Sequence, residues 1–119
     1  FIELKTASDT ENAIKNNSGT MLLVVNSVCG CAAGSARPGI LESLNREKTP
    51  DHLYTVFAGV DQEATKTARD FLLPYPPSSP AIALFKDGQL VHMVERHQIE
   101  GRTAEAIAKH LEKVYDHFC

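Results

Sequence analysis

An α/β domain with a mixed central sheet and helices on both of its faces is the fold class this chain predicts. Three observations carry it. Apolar runs of strand length alternate with segments of helical periodicity, which calls for crossover connections and a parallel core. Asp87-Gly88 lies between two apolar runs, the mark of a two-residue hairpin that adds antiparallel strands. The 119 residues fit one domain over 1–119 and leave little room for two.

Residues 1–5 mostly alternate apolar and polar side chains and predict a short strand. Ser8-Asp9-Thr10-Glu11 reads as a capping box opening a helix, which Asn16-Asn17-Ser18-Gly19 should stop. Residues 21–25, Met-Leu-Leu-Val-Val, are continuously apolar, as in a strand buried on both faces. They lead through Asn26-Ser27-Val28 into Cys29-Gly30-Cys31 and then a helix over about 32–46. Its inner face is assigned to Ile40, Leu41 and Leu44, and Pro38 should kink it or shorten its start. A strand over 52–60 carries Leu53, Val56 and Phe57. Asp61 can cap the next helix, whose apolar face holds Ala64, Ala68, Phe71 and Leu72. A Pro-rich loop ends at Ser78-Ser79-Pro80, and strands over 81–85 and 90–94 flank the Asp87-Gly88 turn. The last helix starts near Thr103, with Ala104, Ile107, Ala108, Leu111, Val114, Tyr115 and Phe118 in one stripe.

Hydrophobic residues at 43% and charged residues at 23% exclude general disorder. A net charge of −3 argues against a nucleic-acid partner, since phosphate-binding proteins are normally basic. No apolar run reaches the ~18–20 residues of a membrane helix, and no signal-peptide pattern is present, so neither membrane nor secretion is expected. Three cysteines are too few, and odd in number, for a secreted disulfide framework. The expected location is cytoplasmic. The chain starts at Phe1 without an initiator Met and reads as a trimmed piece.

The spacing of Cys29 and Cys31 is the most informative feature. Cys29 falls where a strand ends and a helix begins, and a helix N-terminus carries roughly +0.5 charge that favours a thiolate. Cys29 is therefore read as the nucleophile with a lowered pKa, and Cys31 as lying inside the first turn. Side chains two apart are not brought together by either regular geometry. A bond between them needs a tight turn at Gly30 to bring the Cα atoms to ~4.4–6.8 Å. Such a disulfide would be strained and easily reduced, which suits a thiol carrier or an isomerase better than a strong reductant.

The run Val25-Asn26-Ser27-Val28-Cys29-Gly30-Cys31-Ala32-Ala33-Gly34 resembles the signature of the bacilliredoxins, small bacterial proteins of the thioredoxin superfamily. The similarity continues in Thr55-Val56-Phe57-Ala58-Gly59, Pro77-Ser78-Ser79-Pro80, Lys86-Asp87-Gly88, His92-Met93-Val94-Glu95-Arg96-His97 and Ile99-Glu100-Gly101. The resemblance implies a thioredoxin-like fold and removal of bacillithiol, a low-molecular-weight thiol, from mixed disulfides on oxidised client proteins. Cys29 would take the bacillithiol, and a second bacillithiol or Cys31 would release it. No resident cofactor is implied, bacillithiol being the exchanging thiol. Pro80, after Ser79 and before a strand, resembles the cis-proline facing the active site of thioredoxin-like folds. Asn26, Gly30, Ser79 and Pro80 are the substrate-binding candidates, and the Asn26 and Ser27 side chains also suit a turn or a hydrogen bond to a thiolate. Cys-Gly-Cys replaces the Cys-x-x-Cys of ordinary thioredoxins, with no Trp beside it and no acidic residue in the strand before it, so general disulfide-reductase activity should be weak.

Other readings of the same residues stand beside this one. The pair also fits a disulfide isomerase. It fits two small buried hydrophobes. It fits a thiolate metal-binding module, although Cys119 and the five histidines stand at no ligand spacing to supply the ~4 ligands of a structural zinc. Cys119 reads as an end residue, and His92 and His97 as surface or hydrogen-bonding residues.

Overall fold

The continuously apolar run after Gly19 becomes the centre of a sheet because neither of its faces tolerates water. The structure, a computed structural model, describes residues 2–16, 18–27, 30–58, 60–73, 75 and 80–119, with the side chains of 27 and 30–35 outside that description. Among these residues the strands are β1 (Ile2–Glu3), β2 (Thr20–Ser27), β3 (His52–Ala58), β4 (Ala81–Lys86) and β5 (Gln89–Val94), ordered β1-β3-β2-β4-β5. β1 and β2 both run parallel to β3, whereas β4 is antiparallel to β2 and β5 to β4. The helices are α1 (Ala7–Asn16), α2 (Gly30–Ser43), α3 (Gln62–Phe71), α4 (Arg96–Ile99) and α5 (Ala104–Phe118). The expected mixed sheet with helices on both faces is what forms.

β2 shows why two helical layers are needed. Met21, Leu23 and Val25 pack with Ala13 and Ile14 of α1 and with Ala64 and Ala68 of α3. Leu22 and Val24 point the other way, onto Ala36 and Ile40 of α2, Ile99 of α4, and Ile107 and Leu111 of α5. All five of these apolar side chains are buried. Burying a leucine stabilises the fold by about 1.5–3 kcal/mol each.

Several boundaries differ from expectation. α1 starts before Ser8, and Thr6 is the cap, its hydroxyl accepting the Asp9 N–H at 3.1 Å. Thr6 also anchors the first turn through its carbonyl, which accepts the Thr10 N–H and hydroxyl at 3.1 and 2.9 Å, and Thr10, Ala13 and Ile14 are buried. α2 begins at Gly30 and ends at Ser43, and Pro38 lies eight residues inside it without shortening its start. Pro38 is on the exposed side, where water can serve the carbonyl its missing N–H leaves free. The inward stripe is Ala36, Ile40 and Leu44, each four apart, so Leu41 sits about 100° away and is 63% exposed. β3 ends at Ala58, short of the expected 60. Asp61 is the N-cap of α3 as expected, but its backbone carbonyl rather than its side chain does the bonding, accepting from the Thr65 N–H and hydroxyl at 3.0 and 2.8 Å. α4 is an element the pattern did not predict. Its capping box pairs Glu95 with Gln98, the Glu95 N–H donating to Gln98 Oε1 at 2.9 Å, and it plugs Ile99 into the core.

The hairpin forms at Asp87-Gly88, both with positive φ (52° and 82°), the pattern that matches the twist of the flanking strands. α5 is capped by Thr103, whose hydroxyl accepts the Ala106 N–H at 3.1 Å. The end of α2 is tied to α5 by Ser43 and Tyr115, whose hydroxyls share a buried hydrogen bond of 3.1 Å, and by Arg46, which pairs with Asp116. Burial pushes the Tyr115 phenol up to about 12, so it stays neutral and keeps its proton for this bond.

A second polar tie joins β5 to α5. His92 Nε2 and His110 Nε2 lie 3.1 Å apart, so one ring must donate and the other accept. Burial lowers both imidazole pKa values, His110 adding to the effect on His92, and Arg102 and Lys113 to that on His110. Groups with depressed folded values that are neutral in the fold contribute stability above the unfolded value of about 6.5 and lose it as pH falls through the lower folded values. Thermal melts should therefore decline more steeply from pH 7 to pH 5 in the unaltered chain than in the His92→Gln/His110→Gln double variant. Parallel profiles for the two proteins would disprove the linkage.

Candidate functional site

Where strands run parallel, the carboxyl ends of their neighbours gather at one edge. Here Ser27, the last residue of β2, stands opposite Ala58, the last of β3, and Val25 stands opposite Ala81, the first of β4. α2 begins at Gly30. The interval between Ser27 and Gly30 holds Cys29, which lies outside the described residues, as does Ser79. Cys31 is the second residue of α2, with its side chain outside the description, and Gly30 is the first. Pro80 is buried directly before Ala81 and hence next to the end of β2. The Ser79–Pro80 bond falls outside the described residues. The strand end, the helix start and Pro80 thus share one sheet edge, although the sequence separates them by about fifty positions.

The electrostatics of that edge come from the helix. No acidic residue belongs to the first turn of α2, so that turn itself does not neutralise the partial positive charge of its free N–H groups. An anion at this end is favoured.

Asn26 is 7% exposed and is held from both ends of its amide. Its Nδ2 donates to Thr55 Oγ1 on β3, and its Oδ1 accepts from Arg37 Nε of α2 at 3.4 Å. Thr55 Oγ1 in turn donates to the Val24 carbonyl at 2.9 Å. Arg37 also lies over the Phe57 ring, 5.9 Å from its centroid. Asn26, Thr55 and Arg37 line an open groove of about 200 Å³ with Val24, Ile40 and the exposed Leu41. Thr55 and Arg37 are members of the site that the sequence pattern did not single out. Nothing local marks them, because their partner Asn26 is 29 and 11 residues away.

Among the described residues Cys119 is a free, half-buried thiol at the end of α5, and no group of three or more His, Cys, Asp and Glu side chains suits a metal ion. No described helix is long and apolar enough to cross a membrane.

Comparison with known proteins places this arrangement. A profile of the disulphide isomerase family matches residues 1–119. The chain is 63% identical over 116 residues to a bacilliredoxin of Cytophaga hutchinsonii, covering 98% of this chain and 85% of that one. It is 50% identical over 119 residues to a bacilliredoxin of Halalkalibacterium halodurans, covering 100% and 83%. Its fold is similar to that of Fasciola hepatica thioredoxin, with a TM-score of 0.65 and 20% identity over 97% of this chain and 99% of that one. Schistosoma mansoni thioredoxin gives a TM-score of 0.66 at 20% identity, over 99% and 97%. The expected thioredoxin-like fold is the one these structures share.

Proposed function

Because this chain belongs to the bacilliredoxin family, a group of thioredoxin-like redox proteins, we propose that it is a thiol–disulfide oxidoreductase that removes bacillithiol from mixed disulfides on oxidised client proteins. The observation that carries the reading is the β2-to-α2 junction. The interval holding Cys29 opens a helix whose first turn has no acidic side chain, in a chain 63% identical to a bacilliredoxin.

In the first step the Cys29 thiolate attacks the bacillithiol sulfur of the client's mixed disulfide. The new bond joins Cys29 to bacillithiol, the old disulfide breaks, and the client leaves as a thiolate that takes a proton from water. In the second step a free bacillithiol thiolate attacks the same bacillithiol sulfur. Cys29 is regenerated as a thiolate, and bacillithiol disulfide carries away the oxidising equivalents. In the other exit the Cys31 thiolate attacks the Cys29 sulfur, the Cys29–bacillithiol bond breaks and bacillithiol leaves as a thiolate, and the Cys29–Cys31 disulfide remains for an external thiol to reduce. Neither route needs a metal or a resident cofactor. Both suit a reducing cytoplasm, where a thiol carrier stays charged.

The family description also supports a second reading, isomerisation of protein disulfides on the same two cysteines. Incubation with a bacillithiolated protein, followed by intact-mass analysis, tests the first. The client mass should fall by one bacillithiol, and the result that overturns the proposal is a client that keeps it. Rapid restoration of activity to a scrambled-disulfide enzyme under the same conditions would favour the second.

The electrostatic part of the mechanism has its own check. With Cys31 and Cys119 changed to Ala, alkylation of Cys29 should show a pH midpoint below the ~8.5 of a free thiol. A midpoint at or above that value would remove the helix terminus as the activating group.

A further inference from the structure

The buried amide of Asn26 can be oriented in one way only. The Thr55 hydroxyl gives its proton to the Val24 carbonyl at 2.9 Å, so toward Asn26 it accepts, and Asn26 Nδ2 is the donor. The amide oxygen is then what Asn26 presents to α2, and Arg37 Nε donates to it at 3.4 Å. The Arg37 guanidinium also lies 5.9 Å from the ring centroid of Phe57, the residue paired with Asn26 across the sheet.

Arg37 is exposed, and an exposed arginine ordinarily keeps rotamer freedom worth about 2 kcal/mol. Here an amide and an aromatic ring hold it in place. Both are neutral, so the positive charge is left over. Among the described residues no carboxylate pairs with Arg37, whereas Lys15, Arg46, Arg96 and Lys109 each have one. With Nε taken, the outer edge of the fork, Nη1 and Nη2, is left to grip a carboxylate through two parallel hydrogen bonds. A cation already oriented costs less to immobilise when its ligand arrives.

Position ties this group to the reaction. A helical side chain leans toward the helix N-terminus, so Arg37 leans toward the edge where α2 begins. Its partner Asn26 precedes Cys29 by three residues, a chain distance of at most about 11 Å.

We infer that Arg37 is the residue that distinguishes bacillithiol from other thiols, by holding a carboxylate of its malyl group while the bacillithiol sulfur is at Cys29. Bacillithiol is a cysteinyl-glucosamine joined to malate, and the malyl end carries two carboxylates. About nine bonds separate its sulfur from the nearer carboxylate, roughly 10 Å when extended, comparable with the chain distance from Asn26 to Cys29. A chain of net charge −3 offers a dicarboxylate no general attraction, so discrimination falls to a local cation. The inference rests on the exchange reaction proposed above, and it names the group that makes that reaction selective.

The test uses the full chain and one peptide whose single cysteine carries either bacillithiol or its methyl glycoside, the same cysteinyl-glucosamine with methyl in place of malate. The client sequence is identical in both, so acidic residues of the client cancel. At low salt kcat/KM for thiol removal should be about tenfold higher with bacillithiol, since a hydrogen bond to a charged group is worth about that factor or more. The difference should appear in KM, because the malyl group is remote from the reacting sulfurs. Added salt should shrink it. Arg37→Gln should slow removal of bacillithiol about tenfold more than removal of the methyl glycoside, which erases the preference. Arg37→Lys keeps the charge without the fork and should retain part of it. If Arg37→Gln does not fold, a reduced preference in Arg37→Lys decides. Binding of S-methyl bacillithiol, which cannot exchange, read by calorimetry, separates recognition from chemistry. Binding that depends on Arg37 without any exchange would sink the oxidoreductase reading alone. Equal removal of the two thiols by the unaltered chain would overturn the role of Arg37 and leave exchange standing. So would a preference that both variants keep in full, however much each slows the reaction, which would make Arg37 a structural residue.

Discussion

Intact-mass analysis of Cys29→Ala after incubation with a bacillithiolated client is expected to show no transferred thiol, a complete loss of activity. Cys31→Ala, by contrast, should gain one bacillithiol and stall there until free thiol is added. The asymmetry follows from where the two residues fall. β2 ends at Ser27 and α2 begins at Gly30, so Cys29 is in the interval next to the free N–H groups, while Cys31 is already the second helical residue. A residue inside the first turn is committed to helical backbone, so a bond to Cys29 needs a tight bend at Gly30. Cys31 therefore reaches Cys29 only with distortion, and an external thiol competes well as the resolving group. If Cys29→Ala accepts the adduct and Cys31→Ala does not, the nucleophile is Cys31 and the mechanism is reversed.

Gly39→Ala is expected to destabilise the fold by about 1–2 kcal/mol even though Ala is the better helix former. Two effects oppose each other. Removing a helical glycine is worth about 1 kcal/mol in propensity. Overpacking a close contact costs typically about 1–3 kcal/mol. A Cβ on Gly39 would lie 2.8 Å from Ile107 Cβ and 2.9 Å from the Ala104 carbonyl oxygen, where α2 crosses α5. One contact atom is backbone and the other survives any shortening of Ile107, so trimming a side chain gives no relief and the helices must separate. Overpacking wins, and the melting temperature should drop by roughly 3–10 °C. An unchanged or raised melting temperature would show that the α2–α5 seam is slack. Ile107→Val added to Gly39→Ala should not restore the loss.

How much could be read from the sequence depended on the range of the interaction that decided each feature. The β2 run, the Asp87-Gly88 turn and the α5 stripe are local patterns with periods of one, two or 3.6 residues, and they appear where expected. The strand-to-helix junction around the cysteine pair was equally legible, because such a junction is local too. Leu41 was misjudged because it lies beside Ile40 in sequence, whereas the α5 face selects Ala36, Ile40 and Leu44 by angle. α4 is only four residues long, too short for a periodic signal, and its Glu95–Gln98 box was the one mark it carried. The Asn26–Thr55–Arg37 cluster depends on strand register, which no window of the sequence contains.

The central position of β2 has a dynamic consequence. It is hydrogen-bonded to β3 over Met21–Ser27 and to β4 over Thr20–Val25, and it is covered on both faces. Amides in such a strand exchange with solvent deuterium mainly when the whole protein opens, whereas edges and short elements such as β1 exchange through local fluctuations. β2, which leads into the interval holding Cys29, therefore belongs to the last unit to unfold. In the exchange reaction proposed above, the ordering cost of each encounter would then fall on the client, which would have to bring its modified cysteine in an already exposed, extended or locally frayed segment.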